Sequence, residues 1–97
     1  TVVDTNGTIT YVSPAVTRIL GYDPDELIGH EGYEFVHPGD GKRNADSLET
    51  ALSDPSAFET VEVRPRHADG SWRWIEATLR NRLDDDIIDG ILLRHAL

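Results

Sequence analysis

The sequence predicts a single α+β domain: two strands, a run of short helical pieces, then three antiparallel strands. Three observations predict it. Residues 72 to 80 alternate, with Arg73, Ile75, Ala77 and Leu79 on one face and Trp72, Trp74, Glu76, Thr78 and Arg80 on the other, the period of a sheet with one buried side. Asn6-Gly7 and Asp69-Gly70 each stand between alternating runs, where such pairs form tight hairpin turns. Between the hairpins, capping residues and prolines recur with glycine stops, which marks helices of barely two turns. Helices so short are stable only when docked, so they gather on one face of the sheet.

The first hairpin joins Val2-Val3 to Ile9-Thr10-Tyr11-Val12. Ser13 then caps a helix over 14–20, with Pro14 at its first position and Gly21 as its stop. Asp23-Pro24-Asp25-Glu26 places a glutamate three residues after a capping aspartate, a capping box ahead of Leu27-Ile28 and the stop at Gly29. Residues 30–41 carry three glycines, His37-Pro38 and two aromatics, and read as a wrapped segment with one helical turn near Tyr33 to Val36. Asp40 is placed to cap the next helix, about 42–53, on which Ala45, Leu48 and Leu52 form one apolar stripe. Asp54-Pro55 ends that helix. Strands follow at about 58–66, 72–82 and 88–95, with a loop at Asp84-Asp85-Asp86 before the last.

The second hairpin fixes its own register. A two-residue Asp69-Gly70 loop would set Val63 opposite Glu76, an inward residue against an outward one. A three-residue loop, Ala68-Asp69-Gly70 with Gly70 left-handed, pairs Val63 with Ile75 and Val61 with Ala77. It also stacks Arg64 on Trp74 and Arg66 on Trp72, each worth about 0.5 to 1 kcal/mol if exposed. Glu62 then faces Glu76, a repulsion that Arg64 and Arg80 are placed to offset.

At 97 residues the chain holds one modest core, burying about 60 to 65% of its unfolded surface. Its 18 acidic residues outnumber nine basic ones for a formal charge of -9, and eight of the nine are arginine. That balance repels nucleic acid, which needs a clustered basic footprint. Eleven aspartates, seven glutamates and the single Lys42 suit a salt-adapted cytoplasm as well as plain solubility by self-repulsion. No apolar run reaches about 18 residues, and no charged-then-apolar leader opens the chain, so neither a membrane span nor a signal peptide is expected. Cysteine is absent, which removes disulfides, thiolate catalysis and sulfur metal sites.

Five blocks carry a family resemblance. Asp4-x-Asn6-Gly7-x-Ile9-x-Tyr11, Ser13-Pro14-Ala15, Gly21-Tyr22-x-x-x-Glu26-Leu27-Ile28-Gly29, His37-Pro38-x-Asp40 and Asp69-Gly70-Ser71-x-x-Trp74-Ile75-Glu76 together resemble the PAS (Per-Arnt-Sim) sensory domain, in the family's order and over nearly the whole chain. The resemblance implies a five-stranded antiparallel sheet of order 2-1-5-4-3, with helices enclosing a small cavity against its concave face. It also implies a sensory module, residues 1–97, cut from a longer cytoplasmic signalling protein such as a sensor histidine kinase or a taxis-type transducer. Such a module dimerises through the domain and its flanking helices, and takes a small-molecule ligand or none. The family often closes on an Asp-Ile-Thr-like motif linked to output, from which Arg94-His95-Ala96-Leu97 departs or before which it stops.

The residues narrow the chemistry. Flavin photoadducts and thioester-linked chromophores need a cysteine, and His30-Glu31-Gly32-Tyr33 departs from the asparagine-cysteine-arginine motif of the light-sensing subgroup; noncovalent flavin stays open. Haem in this family takes a histidine from the long helix, and Lys42 to Ser53 has none. His37 is read as bracing a turn, His30 as solvated, His67 as exposed and His95 as a satisfied or surface histidine. Asp84, Asp85, Asp86 and Asp89 lack the glycine turn and terminal glutamate of a calcium loop and are read as a solvated acidic loop. Paired carboxylates, a serine with a base and phosphate-cradling loops are not found, so the segment is read as non-enzymatic and no cofactor is assigned. The surviving sensor site is an apolar pocket lined from Tyr33, Phe35, Val36, Leu48, Leu52, Val61, Val63, Ile75, Ala77 and Leu79; its rival is a fully packed core. Trp72, Trp74, Arg64 and Arg66 form a candidate interface on the outer sheet face.

Overall fold

The computed structural model describes residues 1–56 and 58–96. Five strands, β1 (Val2–Val3), β2 (Ile9–Tyr11), β3 (Phe58–Val63), β4 (Ile75–Arg82) and β5 (Gly90–Ala96), form one antiparallel sheet of order β2-β1-β5-β4-β3. Between β2 and β3 run α1 (Pro14–Leu20), α2 (Pro24–Leu27), 3-10 turns at Gly32–Phe35 and Pro38–Asp40, and α3 (Gly41–Ser53). The expected α+β order and strand order are both present, with one helical turn, Pro38–Asp40, beyond the four pieces expected.

The capping chemistry acts as its residue types dictate. Ser13 Oγ accepts from the Val16 amide, and Gly21 closes α1 at φ 82°. Glu26 Oε2 accepts from the Asp23 amide, 2.8 Å, at the start of α2. The segment that follows is a strap stitched by backbone bonds: Ile9 N donates to His30 O, Gly32 N to Gly7 O, His37 N to Arg64 O and Arg66 N to Phe35 O. The strap therefore spans from the first hairpin to the end of β3, across the helix-bearing face.

The β3–β4 register is the one the three-residue loop requires, with Val63 opposite Ile75, Val61 opposite Ala77 and Glu62 opposite Glu76. Gly70 has φ 92°, and His67 N donates to Ser71 O at 2.7 Å. Both strands are shorter than expected, because Pro65 has no amide to give the ladder and the Arg64 amide turns to Asp40 instead. Only an isolated bridge, Arg66 to Trp72, resumes the pairing near the tip. Inward residues Val61, Val63, Ile75, Ala77, Leu79 and Ile91 are buried and join Val3, Val16, Leu20 and Leu27 in one core.

Three local expectations are corrected. Asp40 does not cap α3 with its side chain; it is 1% exposed and paired elsewhere. His67 is not exposed: its side chain is 22% exposed and packs near Gly21, while the next amide, Ala68 N, donates to Leu20 O and docks the hairpin tip on the end of α1. The last strand begins at Gly90 rather than 88, since Asp85 Oδ1 accepts from the Ile87 and Ile88 amides and holds a turn there. Leu97, the end of the expected motif departure, lies outside the described residues.

Candidate functional site

A cavity of about 220 Å³ lies between the inner sheet face, α1, α2, the strap and α3. Its floor is the sheet: Val63, Ile75, Ala77, Leu79, Leu93 and His95 line it from three strands. The register explains that floor, since Leu79 faces Leu93 and Ala77 faces His95 across the β4–β5 ladder, putting all four on one surface. Val12, Val16, Leu20 and Leu27 wall one side, Tyr33, Phe35 and Val36 come from the strap, and Asn44, Ala45 and Leu48 from α3. Tyr33 lines the cavity yet is 68% exposed, so it stands at the mouth. A protein interior normally leaves few voids larger than a water molecule, and this one is far larger.

Eight of the ten expected pocket residues border this space: Tyr33, Phe35, Val36, Leu48, Val63, Ile75, Ala77 and Leu79. Leu52 and Val61 do not. Val61 is buried and Leu52 partly buried in the core, where α3 packs on β3, so the helix fills the far end of the sheet face solidly. The sequence reading missed the walls from α1, α2 and β5. Helices of seven and four residues give too little periodicity to aim their apolar side chains, and only the full sheet order brings Leu93 and His95 beside Ala77.

His95 is one of four polar residues in the lining, with Thr1, Asn6 and Asn44. Its Nδ1 is buried and has no hydrogen-bond partner among the described residues, which corrects the expectation of a satisfied or surface histidine. Burial pushes this imidazole down to about 4, so it is neutral near pH 7. His30 stays solvated beside Glu34, and His37 braces its turn, Nδ1 accepting from the Gly39 amide at 2.9 Å.

Beside the cavity, Asp40 locks the strap to the sheet. Its carboxylate accepts from Arg64 Nε and Nη2, both 2.9 Å, from the Arg64 amide at 2.9 Å and from Arg43 Nη2 at 2.7 Å. The Arg64 side chain, above all, holds this carboxyl well below the usual carboxylate range. On its other side the Arg64 guanidinium lies over Trp74, 4.7 Å from the ring centroid, as expected. The second expected stack does not form: Arg66 Nε reaches Tyr22 Oη at 3.4 Å, and Trp72 meets His37 edge-on at 4.8 Å. Nor do Arg64 and Arg80 answer the Glu62–Glu76 pair, since Arg64 is engaged by Asp40 and Arg80 lies over Phe58. Trp74→Leu is expected to cost about 0.5 to 1 kcal/mol in urea unfolding, the value of an exposed cation over an indole, with the fold retained. Asp69 serves the turn, its Oδ1 accepting from the Ser71 amide and hydroxyl. No helix among the described residues is long and apolar enough to cross a membrane.

Comparison with known proteins agrees with this architecture. The family model described as "PAS fold" matches residues 9–87. The aryl hydrocarbon receptor nuclear translocator homolog of Drosophila melanogaster is 31% identical over 70 residues, 72% of this chain and 11% of that protein, so the chain corresponds to only a small part of this relative. The Drosophila melanogaster Cycle PAS-B domain with bound ethylene glycol superimposes with a TM-score of 0.83 at 22% identity, covering 97% of this chain and 93% of that one. The PAS domain of an HTR-like protein from Haloarcula marismortui gives 0.69 at 22% identity, covering 98% and 82%. The family model covers most of the chain, and a 31% identical relative matches 72% of it: the chain belongs to the PAS family, the sensory and regulatory modules of signalling proteins.

Proposed function

We propose that this domain is the input module of a longer cytoplasmic signalling protein, a sensor kinase or a transducer, and that it senses a small molecule in its cavity. The observation that carries this reading is the cavity itself: 97 residues leave few apolar side chains to spare, and here they enclose about 220 Å³ instead of filling it. Apolar walls with a few placed polar atoms are the usual makeup of a small-molecule site. The Cycle PAS-B domain carries bound ethylene glycol, and the Haloarcula neighbour matches a chain whose acidity suits a salt-rich cytoplasm. Occupancy would push on β4 and β5 together, since both contribute to the cavity floor.

A two-dimensional NMR screen of small neutral compounds tests the reading. Binders are expected to move the amides of Ile75, Ala77, Leu79 and Leu93, and Ala77→Leu, which fills the floor, is expected to abolish those shifts. A screen at millimolar concentration that moves none of them would contradict it. A second reading, self-association through the sheet, is favoured by Phe58 and Trp74, 61% and 57% exposed beneath their arginines. Analytical ultracentrifugation of the protein beside a Phe58→Ser/Trp74→Ser variant distinguishes the two, since only association through this face is lost in the variant.

A further inference from the structure

The outer face of the β3–β4 ladder carries charges that no ion pair among the described residues answers, and their order along the strands specifies a partner. Glu62 and Glu76 stand directly opposite each other, both exposed, and Arg80 is exposed on the same face of β4. Arg80 lies over the Phe58 ring, and none of the three charges has an ion-pair partner among the described residues. Like charges directly opposite destabilise a sheet. The single chain therefore carries a repulsion at Glu62–Glu76 that a cation brought from outside would relieve.

A suitable cation stands on the same face. Thr78, opposite Thr60, is the midpoint: Glu76 lies on one side of it and Arg80 on the other, each about 7 Å along the strand. A half-turn about an axis crossing the strands at Thr60–Thr78 exchanges the places of Glu76 and Arg80. Two copies packed face to face around that axis set Glu76 of each against Arg80 of the other, whereas a half-turn about an axis along the strands would set Glu76 against Glu76. A two-fold interface has to be self-complementary in this way. Packed sheets lie about 10 Å apart with their strands within about 30° of each other, a gap that these long side chains span. The Phe58 ring beneath Arg80 supports the guanidinium on one face and leaves its N–H edge to a carboxylate. Arg94, exposed on β5 opposite Thr78, stands level with the axis, where its long stem lets it turn toward either carboxylate row. Each copy has a formal charge of -9, but repulsion beyond about 8 Å is largely screened at physiological salt, which leaves the contacts near the axis to decide.

Building on the second reading above, self-association through the sheet, we infer that the partner on this face is a second copy of the chain, packed sheet to sheet about a two-fold axis at Thr60–Thr78, with Glu76 of each copy paired to Arg80 of the other. The pairing fixes the relative direction of the two sheets as well as the partner. It is independent of what the cavity binds, since every residue it uses is on the opposite face of the sheet from the cavity floor.

The experiment is a charge swap read by sedimentation equilibrium, on wild-type protein, Glu76→Arg, Arg80→Glu and an equimolar mixture of the two variants. Both positions are exposed, and Glu76→Arg removes the like-charge pair with Glu62, so both variants are expected to keep the fold, checked by circular dichroism. Wild-type protein is expected to dimerise. Each variant alone is expected to associate at least about 10-fold more weakly, because it sets like charges together at both symmetric contacts. The mixture is expected to regain the wild-type affinity, because both contacts between unlike variants again join opposite charges. Variants that dimerise as tightly as wild type would overturn the proposed pairing while leaving association through another contact. Loss in each variant with no recovery in the mixture would overturn the two-fold arrangement. Wild-type protein that stays monomeric at millimolar concentration would overturn the self-association reading together with this one.

Discussion

Asp40→Ala is expected to destabilise the domain by about 3 kcal/mol, the low end for removing one partner of a buried ion pair. The low end applies because the arginines left behind can reach water, whereas the lost carboxylate accepted bonds from Arg64 Nε, Nη2 and amide and from Arg43. Those bonds hold together the strap, the start of α3 and the end of β3, which are otherwise joined by a few backbone bonds and by Arg43 donating to the Glu62 carbonyl. Urea unfolding checks the magnitude, and pH checks the cause. Asp40 ionises more readily in the folded chain than in the unfolded one, so its contribution is complete above the ordinary value of 3.8 and is lost as pH falls below it. The gap in stability between wild type and Asp40→Asn should therefore be widest near neutral pH and narrow below about pH 4. A gap that is flat from pH 7 to pH 2 would mean that the residue acts by shape alone.

Gly90→Ala is the second large effect, about 3 kcal/mol, at the upper end for overpacking. A Cβ on Gly90 would collide with the carbonyl oxygen of Val3 and crowd Val2 Cγ1 at 2.9 Å. Neither can yield cheaply, because Val3 is paired on one side with Ile91 and on the other with Ile9. With β1 only two residues long, the variant is expected to detach the first hairpin from β5, read as faster hydrogen exchange in β1 and in the β5 segment facing it. Gly41→Ala is the control. It sits at φ -57° with nothing within 4 Å of the new methyl group, and an alanine there should leave stability unchanged or raise it by about 0.5 kcal/mol.

How much of the structure is legible in the sequence follows from the range over which each signal acts. The Ala68-Asp69-Gly70 loop and its register were legible because alternation and a left-handed glycine are local, and a one-residue slip would have inverted every side chain. The helix over 14–20 was legible for the same reason, its cap, proline and stop lying within nine residues. Asp40 was misread because local chemistry offers an aspartate before a helix the role of cap, whereas its strongest partner, Arg64, is 24 residues away. The same long-range bond, with Pro65, shortened the two strands of the second hairpin. The cavity was half legible. The sheet floor follows from alternation in β3 and β4, but its extent along the sheet depends on where α3 crosses, which is why Val61 and Leu52 fall in packed core. His95 could have been aimed inward from its parity with Ile91 and Leu93 once the β4–β5 register was known; without that register its direction was undetermined.

The central claim is that this PAS domain keeps an apolar, ligand-sized cavity open against its sheet. Diffraction from crystals of the protein pressurised with xenon tests it most directly, because xenon enters dry apolar cavities without needing a specific contact. The account predicts xenon density over Ala77 and Leu79, bounded by Leu93 and Val16, and none in Ala77→Leu. Wild-type density that is absent there, with the side chains of α1 closed down onto β4, would contradict it.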